Sequence, residues 1–301
     1  MLQDARDRAF TFTGSSSRAS LCAYDFPPSL TSSPSSVCVV FAHGLGEHAT
    51  RYVATFDALR ARGHHVLTYD CLGHGASEGE LGLITNFFDV VGDFLGFCAN
   101  AKARTRAKAL AVVGQSFGGL VAASACANDR QSLIDGLVLC AASIDVKWNV
   151  LLRAQAVIGR ALAACAPRAR WVPAVRLEDM TDDRATLESY ASDPWVQIGN
   201  VRCKTAYEIL RGFRALRGRY CDVRCKLLAL HGAEDACADK DAAARLVREA
   251  SSVEKAYVEF PGMHHLILQE PGSANVIARV VDFVSSFASP AEAPADSRSK
   301  L

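Results

Sequence analysis

The stretch Ala109-Leu110-Ala111-Val112-Val113-Gly114-Gln115-Ser116-Phe117-Gly118-Gly119 decides the expected fold. Ala109 to Val113 is an apolar run, as expected of a strand that is covered on both faces. Gly114 to Gly118 fit the pattern G-x-S-x-G, and small residues continue with helical spacing to Ala127. A strand, a tight glycine turn and a helix in this order present the serine of the turn at the edge of a sheet. We therefore predict an α/β fold with Ser116 exposed at this turn.

Strands and helices alternate on both sides of this stretch. The predicted strands are Ala9–Thr13, Ala19–Tyr24, Val37–Ala42, His65–Tyr69, Ala109–Val113, Leu137–Ala141, Leu227–Leu230 and Ala256–Phe260. Segments with helical spacing lie between most of them, such as Phe87–Ala103 and Asp239–Ala250. This alternation predicts a mostly parallel central sheet with helices on both faces.

The alternation stops between residues 143 and 205, where the pattern is mostly helical. We predict that this segment is a helical cap inserted into the core. The chain then divides into a first core part at 1–142, the cap at 143–205, a second core part at 206–288 and a tail at 289–301. The tail is rich in Pro, Ala and charged residues, a composition typical of disorder.

The composition excludes several classes of protein. Half of the 301 residues are hydrophobic and the net charge is +1, so no strong field attracts nucleic acid or an anionic surface. The start of the chain, Met1 to Phe10, has no apolar run, so we expect no signal peptide. The 11 scattered cysteines are then expected to be reduced. Without a C-x2-C pair or an H-E-x-x-H motif, the sequence predicts no metal and no cofactor.

A serine nucleophile needs a base and an orienting acid, which follow it in the order Ser, Asp or Glu, His in sheets of this kind. Glu234 and Asp235 lie in a polar turn just after a buried strand, where ligand sites of open α/β sheets form. His264 and His265 follow the last strand. Residue spacing alone leaves both pairs of alternatives open.

The segment His43-Gly44-Leu45-Gly46-Glu47-His48 follows the strand that ends at Ala42. This is where a second donor to a developing oxyanion is expected. We predict that the backbone N–H groups of Leu45 and Phe117 form an oxyanion hole beside Ser116.

These motifs together resemble the monoglyceride lipase and lysophospholipase-like family of α/β-hydrolases. The resemblance covers about Val37 to Phe287. Its markers, besides the Ser116 turn, are the segment His43 to His48 with Arg51-Tyr52, then Tyr69-Asp70-Cys71-Leu72-Gly73-His74-Gly75-Ala76-Ser77-Glu78-Gly79, Tyr190-Ala191-Ser192-Asp193-Pro194, and the segments around Asp235 and His265. The resemblance implies the α/β-hydrolase fold, with a lid over an acyl channel.

The resemblance also assigns residues that spacing leaves open. It implies a catalytic triad of Ser116, Asp235 and His265, rather than one with Glu234 or His264. Substrate-binding positions that line the glycerol side of the pocket are implied at Glu47, Arg51 and Tyr190.

Three positions need separate comment. The usual Gly-His-Ser-Met-Gly turn of the family is Gly-Gln-Ser-Phe-Gly at 114–118. A histidine often found three residues after the catalytic one, near the glycerol, is Leu268 here, which bears on monoacylglycerol specificity more than on ester hydrolysis. Cys237 stands near the triad acid, at a position where the family can carry a cysteine.

Two further segments bear on contact with lipid and on the location of the protein in the cell. Val150–Cys165 is helical by pattern and nearly all apolar, so it is either buried against the core or a lid that contacts lipid aggregates. Ser299-Lys300-Leu301 matches the tripeptide read by the peroxisomal import receptor. We expect a peroxisomal or glycosomal location, or otherwise a cytoplasmic protein at the membrane periphery.

The expected function is hydrolysis of monoacylglycerol to glycerol and a fatty acid through an acyl-serine intermediate. A lysophospholipase or a general carboxylesterase would use the same triad, and a peptidase of this fold is a further alternative. A hydrolase scaffold that only binds a ligand belongs to another class, and reaction of Ser116 with a fluorophosphonate would distinguish it.

Overall fold

The computed structural model describes residues 7–32, 35–146, 150–173 and 175–288, with residues 150–156 described by their backbone. The predicted tail at 289–301, with Ser299-Lys300-Leu301, lies outside the described residues, so targeting to an organelle stays a prediction.

The described residues form an eight-stranded sheet in the order β1-β2-β4-β3-β5-β6-β7-β8. β1 and β2 pair antiparallel with each other and β2 pairs antiparallel with β4, while all pairs from β4 to β8 are parallel. The parallel centre is apolar because helices cover both of its faces. The strands are β1 Ala9–Thr13, β2 Ser20–Phe26, β3 Val37–Ala42, β4 His65–Tyr69, β5 Ala109–Gln115, β6 Gly136–Cys140, β7 Lys226–Gly232 and β8 Lys255–Phe260.

Helices pack on the two faces of the sheet around two buried apolar clusters. Phe94 and Leu120 belong to the cluster on one face, and Phe56 and Val280 to the cluster on the other. The helices are α1 Val53–Ala61, α2 Phe87–Thr105, α3 Phe117–Asn128, α4 Val150–Cys165, α5 Arg184–Ala191, α6 Cys203–Arg217, α7 Lys240–Glu249 and α8 Ser273–Ser285. The predicted α/β-hydrolase architecture is confirmed by this arrangement. Among the described helices, none combines the length and the apolar character that crossing a membrane requires.

We keep the name cap for the helices between β6 and β7, which are α4, α5 and the start of α6. The predicted boundary at residue 205 falls inside α6, which runs without a break from Cys203 to Arg217. α6 packs against α4 of the cap and against α2 and α3 of the core. The helix continues past the predicted boundary because Phe213 and Leu216 bury their side chains in the core. The cap is therefore anchored to the core by a shared helix.

Candidate active site

Ser116 occupies a strained turn between β5 and α3. Its φ is 52° and its ψ is −118°, a backbone conformation that residues other than glycine rarely adopt. The neighbouring glycines let the turn pack tightly, since a Cβ at Gly118 would lie 2.1 Å from the carbonyl oxygen of Ala42. The turn aims the Ser116 side chain into a cavity at the carboxyl edge of the sheet.

Ser116, His265 and Asp235 form one chain of hydrogen bonds. Ser116 Oγ lies 2.8 Å from His265 Nε2, and His265 Nδ1 lies 2.9 Å from Asp235 Oδ2. The backbone of His265 is also fixed: its amide N–H donates to the carbonyl oxygen of Met180 at 3.0 Å, and its carbonyl oxygen accepts from Gln115 Nε2 at 2.9 Å. The imidazole is thus held on both sides, with Nδ1 directed to the carboxylate and Nε2 to the serine.

The electrostatics of these three hydrogen-bonded residues favour a charged carboxylate on Asp235 and a basic imidazole on His265. Burial opposes the charge of Asp235, but His265 and His231 outweigh it and hold the carboxyl pKa well below its usual range. Asp235 Oδ1 also accepts from the amides of Cys237 at 2.8 Å and Ala238 at 3.0 Å. Burial lowers the pKa of His265, yet the neighbouring carboxylates, Asp235 first, raise it above its ordinary value.

Glu234 and His264, the alternatives to Asp235 and His265, lie outside this hydrogen-bonded set. Glu234 is exposed, and its backbone rather than its carboxylate contacts the His265 segment, through the carbonyl oxygen of Met263 at 3.0 Å. His264 faces the cap, with Nε2 3.2 Å from Asp182 Oδ2. Geometry therefore separates the alternatives that residue spacing left open, and it joins Ser116 to Asp235 through His265.

The predicted oxyanion donors sit on the loop after β3 and at the start of α3. Leu45 and Phe117 line the cavity together with Ser116. The loop is fixed through His43, whose Nδ1 donates to the Gly44 carbonyl oxygen at 2.7 Å and whose Nε2 accepts from the Cys71 amide at 2.9 Å. Burial lowers the pKa of His43, which keeps the ring neutral in this arrangement. The loop and the turn are close, since a Cβ at Gly44 would lie 3.4 Å from that of Ser116.

Glu47 is buried, and its carboxylate is surrounded by protein donors. The hydroxyls of Tyr52 and Tyr190 donate to its two oxygens, and the Gly44 amide donates to Oε1 at 2.6 Å. Burial and the Glu47 charge raise the pKa of both phenols, so they remain donors. Arg51 lies with its guanidinium carbon 3.8 Å from the centre of the Tyr190 ring.

The three predicted substrate-binding residues therefore differ in position. Tyr190 lines the cavity, whereas the side chains of Glu47 and Arg51 lie behind it. Arg51 Nη1 donates to Asp193 Oδ2 at 2.9 Å, and His48 Nε2 lies 2.9 Å from the same oxygen. Glu47 and Arg51 connect the loop after β3 to the cap, because the Glu47 oxygens and Arg51 Nη1 bind protein partners.

The two remaining positions singled out from the sequence also have defined surroundings. Leu268 is buried in the apolar cluster with Ile267 and Val276 and does not line the cavity. Cys237 lines the cavity, and its thiol donates to the carbonyl oxygen of Asp179 at 3.2 Å. One ligand atom each of Asp235, Cys237 and His265 lies within 4.8 Å of the others. Burial and the charge of Asp235 raise the pKa of the thiol, which keeps it protonated, and the Asp–His hydrogen bond occupies the other two groups.

The cavity has a volume of about 740 Å³ and lies between the cap and the core. Its lining is predominantly apolar. The apolar lining residues include Leu45, Phe117, Ile158, Leu162, Trp171, Val175, Ile198, Leu210 and Phe213. A serine with an activated hydroxyl at the end of such a cavity can attack a carbonyl attached to a long apolar chain.

Sequence reasoning missed His231. This buried histidine is in β7, and its Nε2 lies 2.9 Å from Asp235 Oδ2. Its position in the strand directly before the acid's turn is the one signal that could have suggested the contact.

Comparison with known proteins agrees with this geometry. The chain is 24% identical over 250 residues to phospholipase YtpA of Bacillus subtilis, covering 83% of this chain and 95% of that protein. It is 23% identical over 249 residues to the monoglyceride lipase of Homo sapiens, covering 83% and 80% of the two chains. A substrate-analogue complex of a soluble variant of the Saccharomyces cerevisiae monoglyceride lipase has a similar structure, with a TM-score of 0.81 at 19% identity over 94% of this chain and 95% of that one.

The structure of the Paleococcus ferrophilus monoacylglycerol lipase is also similar, with a TM-score of 0.76 at 21% identity over 88% of this chain and 98% of that one. The sequence model of the Hydrolase_4 family, described as serine aminopeptidase S33, matches residues 33–272. This match spans more than half of the chain and includes the Ser116 turn, Asp235 and His265. The chain therefore belongs to the Hydrolase_4 family of α/β-hydrolases and is a serine hydrolase.

Proposed function

We propose that this serine hydrolase cleaves carboxylic esters of lipids and that its substrate is monoacylglycerol, which it converts to glycerol and a fatty acid. The observation that carries the proposal is the Ser116–His265–Asp235 hydrogen-bond chain, which ends in an apolar cavity of about 740 Å³. Relatives named as monoglyceride lipases support the same substrate class.

The mechanism is acyl transfer in two halves. Ser116 Oγ attacks the ester carbonyl while His265 Nε2 takes its proton, and Asp235 stabilises the imidazolium that forms. The amides of Leu45 and Phe117 donate to the oxyanion of the tetrahedral intermediate. His265 then protonates the leaving glycerol oxygen. Water attacks the acyl-Ser116 ester with His265 as base, which releases the fatty acid and restores the serine.

Lysophospholipid is the second candidate substrate. The Glu47 oxygens and Arg51 Nη1 are hydrogen-bonded to protein groups, and Leu268 lies in the apolar core. These contacts leave fewer groups on the alcohol side to select glycerol. The similarity to a phospholipase favours the same alternative.

The cap also supports contact with a lipid surface. Exposed apolar side chains lie on the cap at Val157, Ile158, Trp171, Val175 and Ile198, and all except Val157 also line the cavity. An apolar rim continuous with the acyl cavity would let the substrate pass from a lipid aggregate without crossing water. We expect Trp171→Ala to weaken sedimentation with phosphatidylcholine vesicles while hydrolysis of a soluble short-chain ester is retained.

The decisive experiment compares glycerol release from 2-oleoylglycerol with fatty-acid release from lysophosphatidylcholine, with Ser116→Ala as the blank. Fast, Ser116-dependent glycerol release with a slow phospholipid reaction supports the monoacylglycerol assignment. The reverse ratio moves the enzyme to lysophospholipids and keeps the triad. An aminoacyl naphthylamide tests the peptidase alternative, and labelling of Ser116 by a fluorophosphonate excludes a scaffold that only binds.

A further inference from the structure

His231 places a second imidazole on the triad acid. It is 1% exposed, and its Nε2 lies 2.9 Å from Oδ2 of Asp235, the oxygen that also faces His265 Nδ1 at 2.9 Å. The two atoms are at ion-pair distance, although Nε2 makes no regular hydrogen bond. A lone pair on this nitrogen would repel the carboxylate, so Nε2 carries the proton.

The two oxygens of Asp235 therefore have different partners. Oδ1 accepts from two backbone amides, which fix the carboxylate in its turn. Oδ2 is close to two imidazoles, that of His265, which also contacts Ser116, and that of His231. Because a single oxygen serves both rings, a stronger interaction with His231 leaves less negative charge for His265.

The neighbouring strand carries a further charged group close to His231. His231 pairs with Glu259 of β8 in the sheet register. The hydrogen bond from Lys240 is the main reason for the lowered pKa of Glu259, and His231 adds to this effect. The charged groups that interact with His231 are thus Asp235, which it shares with His265, and Glu259, which in turn bonds Lys240 and Tyr257.

We propose that His231 is a positioning residue for the hydrolytic reaction, which holds Oδ2 of Asp235 from the outer side and divides the charge of that oxygen between two imidazoles. The proposal rests on the function assigned to the triad above. It extends the chain of contacts from Ser116, His265 and Asp235 to a fourth side chain in β7.

The consequence is a specific change in the pH dependence of the enzyme. Without the outer N–H, the full charge of Asp235 acts on His265 and stabilises its protonated form. The acidic limb of the kcat/KM profile, which reports deprotonation of His265, then moves to higher pH. The carboxylate also loses one contact that orients it, and small displacements in a catalytic chain lower kcat by about tenfold or more.

The experiment measures kcat and kcat/KM for 4-nitrophenyl butanoate between pH 5 and 9. His231→Leu removes the donor, whereas the side-chain amide of His231→Gln can place an N–H near the position of Nε2. We expect the leucine variant to lose about tenfold in kcat and to show the upward shift, with the glutamine variant near the wild type. His64→Leu is the matched control, because His64 is also buried and bonds Ser285 on α8 at 2.9 Å.

The proposal would be overturned if the acidic limb of kcat/KM had the same midpoint in the wild type and the leucine variant. It would also be overturned if the leucine and glutamine variants lost the same fraction of kcat and neither shifted this midpoint. Active enzyme is counted by fluorophosphonate titration, so loss of folded protein does not count as loss of rate. If the leucine variant does not fold, His231→Asn replaces it, since its shorter amide does not reach Oδ2. Turnover by Ser116→Ala would contradict the proposed function itself, whereas unchanged His231 variants contradict this inference alone.

Discussion

Two buried carboxylates near the Ser116 turn, Asp235 and Glu47, are used in different ways. Asp235 is bonded to a chain that ends at a serine hydroxyl facing the cavity. The Glu47 carboxylate accepts hydrogen bonds from two phenols and a backbone amide, so its oxygens are bound by protein groups. What surrounds the oxygens of a buried acid, rather than its burial, thus decides whether it takes part in proton transfer or holds the fold in place.

The largest effect expected from this comparison is that of Asp235→Asn. The amide cannot stabilise the imidazolium and favours the wrong tautomer of His265, so kcat is expected to fall by about 10⁴-fold. The measurement is steady-state hydrolysis of 4-nitrophenyl butanoate at neutral pH. Glu234→Gln is the control because its exposed side chain lies in the same turn and should keep wild-type activity. A loss of less than about tenfold for Asp235→Asn would remove it from the triad.

The second prediction concerns Glu47→Gln. A glutamine has one acceptor oxygen for three donors, so a buried donor loses its partner and the free energy of unfolding falls by about 1–3 kcal/mol. The loop that carries Leu45 is bonded to Glu47 through Gly44, so we expect a loss of kcat of about tenfold. Urea denaturation and ester hydrolysis measure the two effects. A loss as large as that of Asp235→Asn would mean that Glu47 belongs to the reacting groups.

The same variant gives a pH test with a defined sign. The charge of Glu47 contributes to the raised pKa of His265, after the larger effect of Asp235. Removing this charge makes the imidazolium less stable, so the pKa of His265 falls and the acidic limb of kcat/KM moves to lower pH. His231→Leu is expected to move the limb in the opposite direction. Shifts of the same sign in both variants would contradict this account of the electrostatics.

Local sequence patterns predicted the fold and the segments that carry the triad, and the family resemblance chose Asp235 and His265 within them, whereas the Glu47 cluster was not predicted, for a physical reason. Ser116 lies between a strand and a helix with local signatures, and parallel strands bring their carboxyl ends to the same edge of the sheet. The partner of Glu47 in the cap, Tyr190, is 143 residues away, and neither pattern nor spacing shows which hydroxyl reaches which oxygen. His231 escaped prediction because its apolar strand suggests a core position. The extent of α6 likewise depends on tertiary packing, which crosses the predicted cap boundary.

The smallest effects on activity are expected from the two tyrosines that donate to Glu47. Tyr52 belongs to the core side of the cluster, whereas Tyr190 lies on α5 of the cap. Each Tyr→Phe change removes one hydrogen bond to a charged group, worth about 1.5–3 kcal/mol when buried.

Because the lost bonds join different parts, their consequences should separate. Tyr52→Phe is expected to lower the thermal midpoint of unfolding with little change in KM. Tyr190→Phe loosens the cap from the core, so it should raise the KM for 2-oleoylglycerol about threefold while leaving that for 4-nitrophenyl butanoate unchanged, since the short ester covers little of the cap lining. Differential scanning fluorimetry and the two assays provide the comparison. If the phenylalanine variants behave alike in both measurements, Glu47 does not couple the cap to the core, and the cluster is a feature of the core alone.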